Sequence, residues 1–210
     1  MSRSSVFPRG LRRRGRLGAS LAALLVAAAG ALIHRYLPSE GEGPGPGASG
    51  GSYALTGQVV RVADGDTVTL RTADGQRRIR LDSIDAPEAG HGSAQPGQPY
   101  AEASRKHLAG LVAGRQLTAR CYESDQYGRH VCELPLPDGS TANRAQVAAG
   151  YAWAYTARRG AYLRDREMPA LQRQASQAGL GLWAQPGAIA PWKWRYDCWR
   201  QHQCQPEAAR

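Results

Sequence analysis

Three short runs of β-forming residues, separated by two Asp-Gly pairs, constrain the fold of this chain more than any other feature. The runs cover 55–62, 67–71 and 77–81, and the pairs are Asp64-Gly65 and Asp74-Gly75. An Asp-Gly pair between two such runs is a strong hairpin signal, because tight hairpin turns need residues that tolerate a positive φ. The sequence therefore predicts three consecutive antiparallel strands.

The residues that follow predict two more strands and three helices. The strands are expected at 116–122 and 130–136, and the helices at 100–113, 143–150 and about 168–178. Apolar residues recur at helical spacing in the first of these helices, and Gly114 ends it. Five short strands with an inserted helix match the OB-fold, so we expect an α+β chain with a five-stranded OB-fold β-barrel and about three helices.

Positive charge is concentrated at the N terminus. The chain has 27 Lys and Arg residues, and seven arginines with no acid fall in positions 1–37, which leaves a net charge of only +3 elsewhere. The formal charge of +10 alone would indicate a nucleic-acid or anionic-membrane partner, but this distribution weakens that inference for the body. A length of 210 residues allows one domain with appendages and excludes a large multidomain machine.

An uncharged stretch of seventeen residues, 17–33, follows the N-terminal arginines. As a helix it would span roughly 25 Å, slightly less than the hydrocarbon core of a bilayer. It is either a cleaved signal peptide or a retained membrane anchor. The arginines before it favour a cytoplasmic N terminus, so both interpretations place the body outside the cytoplasm.

Composition sets the predicted domain boundaries. Positions 1–37 form the basic N terminus with its signal peptide or membrane anchor, 38–52 a Gly/Pro/Ser-rich linker, 53–196 the folded domain and 197–210 a Cys-containing tail. The four cysteines lack the paired C-x2-C spacing of structural zinc sites. Disulfides are therefore the better expectation in an exported chain.

Two pairs of cysteines are candidates for those disulfides. Cys121 and Cys132 are equidistant from the centre of a turn at positions 126–127, so a symmetric hairpin would place them opposite each other. They are either a cross-strand disulfide or two buried thiols. Cys198 and Cys204 would close a small terminal loop, in a Trp-rich stretch whose aromatic and basic side chains either stack on bases or pack over the barrel.

Three polar motifs fall at strand ends or hairpins of the predicted barrel. They are Asp-Gly-Asp-Thr at 64–67, the acidic and Arg-containing segment 80–88, and Asp-Gln-Tyr-Gly-Arg at 125–129. The first and third motifs alone are compatible with an ordinary turn or a solvated hairpin, whereas a structural segment gains little from the acids Asp85 and Glu88 that flank a proline. Their order and combination carry more weight, because a barrel could bring all three to one face.

At these residues the chain resembles the staphylococcal nuclease (thermonuclease) family. The resemblance covers about 53–196 and includes a late Gly181-Leu182-Trp183. It implies a calcium-dependent phosphodiesterase on an OB-fold. The roles that it implies are calcium ligation by the side chains of Asp66 and Asp85 and the main-chain carbonyl of Ala86, phosphate contacts by Arg80 and Arg129, general-base catalysis by Glu88, and a contact of Tyr127 near the terminal phosphate of a bound nucleotide.

These residue types suit the hydrolysis of a phosphodiester. Calcium is a hard ion that prefers oxygen ligands, and Pro87 restricts Ala86 to an extended conformation that would fix its carbonyl. Arginine stays charged and meets phosphate oxygens with a planar fork. Attack by water gathers negative charge on the phosphate oxygens, which a cation and rigid donors stabilise.

The sequence thus predicts an exported, calcium-dependent nuclease. The resemblance further implies DNA and RNA as substrates and 3′-phosphate products. The membrane is an expected partner only if 17–33 stays uncleaved, and no protein partner is predicted. Two alternatives stay open: a non-catalytic OB-fold module that binds nucleic acid at the cell envelope, and an envelope scaffold whose barrel binds protein.

Overall fold

The computed structural model describes residues 51–204. The strands are β1 (Tyr53–Val62), β2 (Thr67–Thr72), β3 (Gly75–Leu81), β4 (Ile84–Asp85), β5 (Gln116–Ser124), β6 (His130–Glu133) and β7 (Trp153–Ala154). The longer helices are α1 (Ala101–Val112), α2 (Ala142–Ala148) and α3 (Met168–Gln177). Short helical turns lie at Ala157–Gly160, before α3, and at Gly181–Ala184, Pro191–Trp194 and Arg195–Arg200, after it.

Five strands form a closed barrel in the order β1-β2-β3-β6-β5. All neighbours are antiparallel except β3 and β6, which run parallel. The predicted five-stranded α+β barrel is therefore confirmed, and the three predicted helices appear with ends shifted by one or two residues. The short helical turns near the C terminus were not predicted.

β6 is shorter than the sequence predicts, because it ends at Glu133 rather than at position 136. The backbone N–H of Leu134 donates to the side-chain oxygen of Asn143 at 3.0 Å, and Pro135 has no N–H to donate. Both features remove ladder hydrogen bonds at this end of the strand. The chain leaves the barrel here and enters α2.

The barrel interior is filled by side chains that alternate along the strands. On β5, Leu117, Ala119 and Cys121 are buried while the residues between them are exposed. This period of two is what a strand with one buried face requires. α1 adds Leu108 and Val112 to the same core, which is why the helix lies against the barrel.

Both cysteine pairs form disulfides. Cys121 and Cys132 lie directly opposite each other on β5 and β6, so the cross-strand disulfide is confirmed. Cys198 and Cys204 close the C-terminal loop. The first disulfide ties together the two strands that lead into the turn containing Arg129.

The predicted basic N terminus, the segment 17–33 and positions 38–50 of the linker lie outside the described residues. The domain boundaries proposed from the sequence therefore stay predictions. Among residues 51–204, no helix has the length and apolar character needed to cross a membrane.

Candidate active site

The three polar motifs meet at one cleft of about 310 Å³. All seven residues that the sequence predicts for the site line this cleft, namely Asp66, Arg80, Asp85, Ala86, Glu88, Tyr127 and Arg129. Asp64, Arg78, Pro87 and Arg195 complete the lining. The barrel thus brings together segments that are up to about 130 positions apart in the chain, and does so at the end where β1–β2, β3–β4 and β5–β6 are connected.

The turn between β1 and β2 fixes Asp66 through its own backbone. The carboxylate of Asp64 accepts a hydrogen bond from the N–H of Asp66 at 3.0 Å, a local contact typical of Asp in turns. Burial, followed by repulsion from Asp66, raises the pKa of Asp64 to about 7. The Asp-Gly pair thus builds a hairpin, as predicted, and also places a second carboxyl group on the cleft wall.

Gly65 is required at this turn by close packing. A Cβ atom there would lie 1.8 Å from Oγ of Ser104 and 2.8 Å from Cβ of Ala86. The Gly65 carbonyl accepts a hydrogen bond from Nε2 of Gln146 at 2.6 Å. Because Gly65 has no side chain, the turn packs closely against Ser104 of α1 and against Ala86, the residue that follows β4. This close packing brings Asp66 towards Asp85.

Asp85 is held in place by the two-stranded sheet of β4 and β7. Asp85 pairs with Trp153, and its neighbour Ile84 pairs with Ala154. The residue is only 1% exposed. Burial raises the pKa of its carboxyl group, although the guanidiniums of Arg80 and Arg195 act in the opposite direction.

The Arg80 guanidinium joins the two aspartates. Its Nη1 lies 3.1 Å from Oδ2 of Asp66, and its Nη2 donates to Oδ1 of Asp85 at 2.7 Å. Nη1 also donates to the carbonyl of Leu81 at 2.8 Å. One rigid fork therefore contacts both predicted calcium-ligand carboxylates and is preorganised on the cleft wall.

Glu88 lies on the loop after β4 and faces the same cleft. Its carboxylate forms an ion pair with Nη1 of Arg195, which reaches the site from the C-terminal helical turns. Burial raises the pKa of Glu88 to about 7, because it outweighs the opposing effect of Arg195. Arg195 also donates from Nη2 to Oδ2 of Asp85 at 2.8 Å.

Tyr127 and Arg129 reach the cleft from the β5–β6 turn. Nε of Arg129 donates to Oδ2 of Asp125 at 2.7 Å, and the guanidinium lies 5.5 Å from the centre of the Tyr127 ring. The other Asp125 oxygen accepts from the backbone N–H groups of Tyr127 and Arg129, both at 2.9 Å. The Asp125 carboxylate thus fixes the turn and aims one arginine, while Tyr127 stays 67% exposed.

The oxygen donors on the cleft wall fit a hard divalent cation. Asp66 is 6% exposed and Asp85 1% exposed, and Arg80 and Arg195 already pair with these carboxylates, so the fit to a cation rests on their oxygen chemistry. No cluster of three or more His, Cys, Asp or Glu side chains suited to a metal occurs within residues 51–204. The predicted set needs only two carboxylates and the Ala86 carbonyl, with the remaining positions left for water and phosphate.

Of the four cleft residues that were not assigned to the site from the sequence, Asp64 and Arg195 form hydrogen bonds to assigned ones. Asp64 belongs to a motif that was recognised, but its local signal is that of a turn. Arg195 lies in the Trp-rich stretch, where the sequence favoured packing over the barrel. Its ion pairs join residues 110 and 107 positions apart, and no local pattern signals contacts of that kind.

Comparisons with known proteins agree with this geometry. The family described as staphylococcal nuclease homologue matches residues 78–185. A protein named uncharacterized endonuclease, from Escherichia coli O157:H7, is 39% identical over 142 residues, which cover 68% of this chain and 86% of that protein. A protein named micrococcal nuclease, from Shigella flexneri, is 36% identical over 147 residues, which cover 66% of this chain and 79% of that protein. Together with the barrel and its cleft, these matches show that the chain belongs to the staphylococcal nuclease family.

Proposed function

We propose that this protein is an exported, calcium-dependent nuclease that hydrolyses phosphodiester bonds of DNA and RNA and leaves 3′-phosphates. The observation that carries the proposal is the contact of one guanidinium, that of Arg80, with two buried carboxylates, those of Asp66 and Asp85. In this proposal the carboxylate oxygens would bind a cation, and the guanidinium beside them would donate hydrogen bonds to the phosphate. The nuclease names of two related proteins support the same reaction class.

Asp66, Asp85 and the Ala86 carbonyl would hold the calcium ion. When bound, calcium would neutralise phosphate charge and orient the attacking water. Asp66 is suited to this role because its position is fixed: the hydroxyl of Thr67 donates to Oδ1 at 3.0 Å, and the N–H of Ala86 donates to Oδ2 at 2.8 Å. A ligand that does not need to reorganise loses less entropy when it binds the ion.

Arg80 and Arg129 would bind the scissile phosphate from two sides of the cleft. Arginine donors that point at oxygens gaining charge in the transition state contribute typically 10²- to 10³-fold to the rate. Arg129 lines the cleft and pairs with Asp125, which restricts the positions that the guanidinium can take. Tyr127 lies beside it and would contact a terminal phosphate.

Glu88 would accept the proton of the attacking water. Its carboxylate lies on the cleft wall, on the same side as Asp85, because Arg195 contacts both groups. General-base assistance from a positioned carboxylate contributes roughly 10²- to 10⁴-fold. Cleavage that expels the 5′ oxygen would leave the 3′-phosphate, a product inferred from the family resemblance.

Export is proposed from the sequence of the N terminus. The arginines before the uncharged stretch 17–33 favour a cytoplasmic N terminus, so the domain would lie outside the cytoplasm, either tethered through this stretch or released by cleavage. Mass spectrometry of the native protein, with fractionation of its cells, tests this. A mass that shows residues 1–37 intact would support the anchor, and recovery of the protein from the cytoplasm would contradict export.

A plasmid-degradation assay with added calcium tests the nuclease activity. We expect degradation with calcium, none with a chelator, and strong loss in Asp66→Asn. The matched control is Asp74→Asn, which changes an exposed aspartate on the β2–β3 turn outside the cleft. Retention of nucleic acid without cleavage would instead favour the non-catalytic binding module, and retention that is weak and insensitive to salt would favour a protein-binding scaffold.

A further inference from the structure

We propose that Arg195 is a positioning residue of the active site, and that residues 191–204 hold the Glu88 loop in its working conformation. This inference rests on the proposed nuclease function. The sequence resemblance ends at about position 196, so the segment spans the end of the recognised family pattern, and the resemblance assigns no role to Arg195. The structure places Arg195 on the cleft wall.

The Arg195 guanidinium bridges the two carboxylates that bracket Ala86 and Pro87. Nη2 donates to Oδ2 of Asp85 at 2.8 Å, Nη1 lies 3.3 Å from Oδ1 of the same residue, and Nη1 also pairs with Glu88. Among the described residues, Arg195 is the one that forms an ion pair with the Glu88 side chain. A planar fork with two contacts fixes the orientation of Glu88 relative to Asp85.

The backbone of Glu88 is connected through Gln98 to Ile189, two positions before the segment. The Glu88 N–H donates to Oε1 of Gln98 at 3.2 Å, and Nε2 of Gln98 donates to the carbonyl of Ile189. Gln98 is buried although its side chain is polar, which is consistent with both of its ends being hydrogen-bonded. Side chain and main chain of Glu88 are therefore both connected to residues 189–195.

Two tryptophans of the segment hold the far end of the Glu88 loop. The indole N–H groups of Trp194 and Trp199 both donate to the carbonyl of Pro96, at 3.2 and 3.0 Å. Trp199 also contacts the ring of His91 edge to face, with 6.1 Å between the ring centres. Residues 88–98 have no strand or helix of their own, so these contacts add to the few backbone hydrogen bonds within the loop, such as that from Gln98 to Glu88.

The disulfide keeps the segment compact. Cys198 is buried and bonded to Cys204, and the N–H of Gln203 donates to the carbonyl of Asp197 at 2.9 Å. The loop that is closed in this way contains Trp199 and begins three positions after Arg195. Constraining it reduces the number of conformations in which Trp199 could leave Pro96 and His91.

These contacts make a positioning role more fitting than a purely structural one. A structural arginine would be expected on the surface of the segment, whereas Arg195 reaches the one carboxylate predicted to move a proton. A misplaced catalytic group can cost about 10²-fold in rate. Loss of the bridge is therefore expected to act on turnover through Glu88 rather than on nucleic-acid binding.

A double-mutant cycle in the full chain tests this coupling. We expect Arg195→Ala to lower kcat roughly 10- to 100-fold with little change in KM, the range seen when outer groups that orient an active site are lost. Arg195→Lys should recover part of kcat, because an ammonium keeps the positive charge but lacks the planar fork that orients both carboxylates. In a Glu88→Gln background, Arg195→Ala should change kcat by less than about twofold.

The control and a second measurement keep the test independent of folding and of calcium. Arg200→Ala removes an exposed arginine from the same helical turn and should leave kcat unchanged. In calcium-free protein, amide hydrogen exchange of residues 88–98 should be faster in Arg195→Ala than in Arg200→Ala, while the barrel strands stay equally protected.

The outcomes separate this inference from the proposed function. Absence of cleavage by the wild-type protein would overturn the nuclease function and this inference with it. Cleavage by the wild type with an unaltered Arg195→Ala variant would overturn this inference alone. So would an equal effect of Arg195→Ala in both Glu88 backgrounds, because Arg195 would then act without Glu88, and so would unchanged exchange of residues 88–98.

Discussion

The Oδ2 atom of Asp66 lies 2.8 Å from the backbone nitrogen of Ala86, which donates a hydrogen bond to it across 20 positions of sequence. The contact joins two of the three residues proposed to bind calcium, although the Ala86 ligand would be its carbonyl and not this N–H. The hydrogen bond also fixes the backbone at the end of β4, because Ala86 directly follows Asp85. A hydrogen bond to a carboxylate is among the stronger ones in proteins, so this contact links the β1–β2 turn to the residues after β4.

Substitution of Arg80 is expected to reduce turnover more than substrate affinity. Arg80→Ala should lower kcat about 10²- to 10³-fold with a smaller change in KM, because its donors act on charge that develops in the transition state. Arg77→Ala, on the same strand but outside the cleft, is the control. Steady-state kinetics on a short single-stranded substrate measure both constants. A variant that kept its kcat and lost only affinity would contradict the assigned role.

Replacing Gly65 should destabilise the fold because the site has no room for a methyl group. Gly65→Ala would force Cβ to within 1.8 Å of Oγ of Ser104, and we expect a loss of about 1 to 3 kcal/mol in the free energy of unfolding. Gly110→Ala is the matched control, since Gly110 lies in α1 with open space around it. Alanine there should stabilise the helix by about 0.5 to 1 kcal/mol. Denaturant unfolding compares the two, and equal effects would contradict the packing argument.

Local sequence signals predicted the parts of this structure that depend on local physics. The Asp-Gly pairs at 64–65 and 74–75 predicted both hairpins, because turn chemistry and strand alternation act over a few residues. The same holds for the symmetric placement of Cys121 and Cys132 about the β5–β6 turn, although the sequence left the disulfide open.

The features that the sequence did not predict depend on contacts between residues far apart in the chain. The backbone of Asp85 is fixed by the two-residue strands β4 and β7, which are too short to produce a periodic pattern. The position of Arg195 depends on ion pairs to Asp85 and Glu88 more than a hundred positions away. The seven predicted site residues share one cleft, while their roles in catalysis stay predictions.

Stability should depend on pH through Asp82, a buried carboxyl group outside the cleft. Burial, followed by repulsion from Glu133, raises the pKa of Asp82 from 3.8 to about 6. The folded state therefore binds this proton more tightly than the unfolded state does. The contribution of Asp82 to the free energy of unfolding must fall as pH rises from about 4 to about 6, and it stays low above that window.

Asp82→Asn removes this dependence and should keep the hydrogen bond that Nδ2 of Asn143 donates to Oδ1 at 2.9 Å. The stability of the variant relative to wild type should increase by roughly 3 kcal/mol between pH 4 and pH 7. Urea unfolding in chelator at several pH values measures the difference. Asp74→Asn, at an exposed turn, serves as the control. A difference between Asp82→Asn and wild type that is constant across this range would contradict a raised pKa at Asp82.

The Cys121–Cys132 disulfide should contribute to the stability of the barrel itself. Both cysteines are fully buried members of the core, and the double variant to alanine is expected to lose roughly 3 kcal/mol, from the freed chain and the lost packing. The matched double variant of Cys198 and Cys204 should lose less, because that pair lies in the C-terminal segment. Guanidinium unfolding of the oxidised proteins compares them. A larger loss in the C-terminal variant would contradict this assignment of the two disulfides.

We propose that Asp66 and Asp85 bind one calcium ion beside Arg80, and calcium binding by the purified protein is the sharpest test of this arrangement. Titration calorimetry with calcium, in the presence of a short oligonucleotide, should show one ion bound per chain in wild type and in Asp74→Asn. Binding should be lost in both Asp66→Asn and Asp85→Asn. Calcium binding that survives unchanged in these two variants would contradict the account.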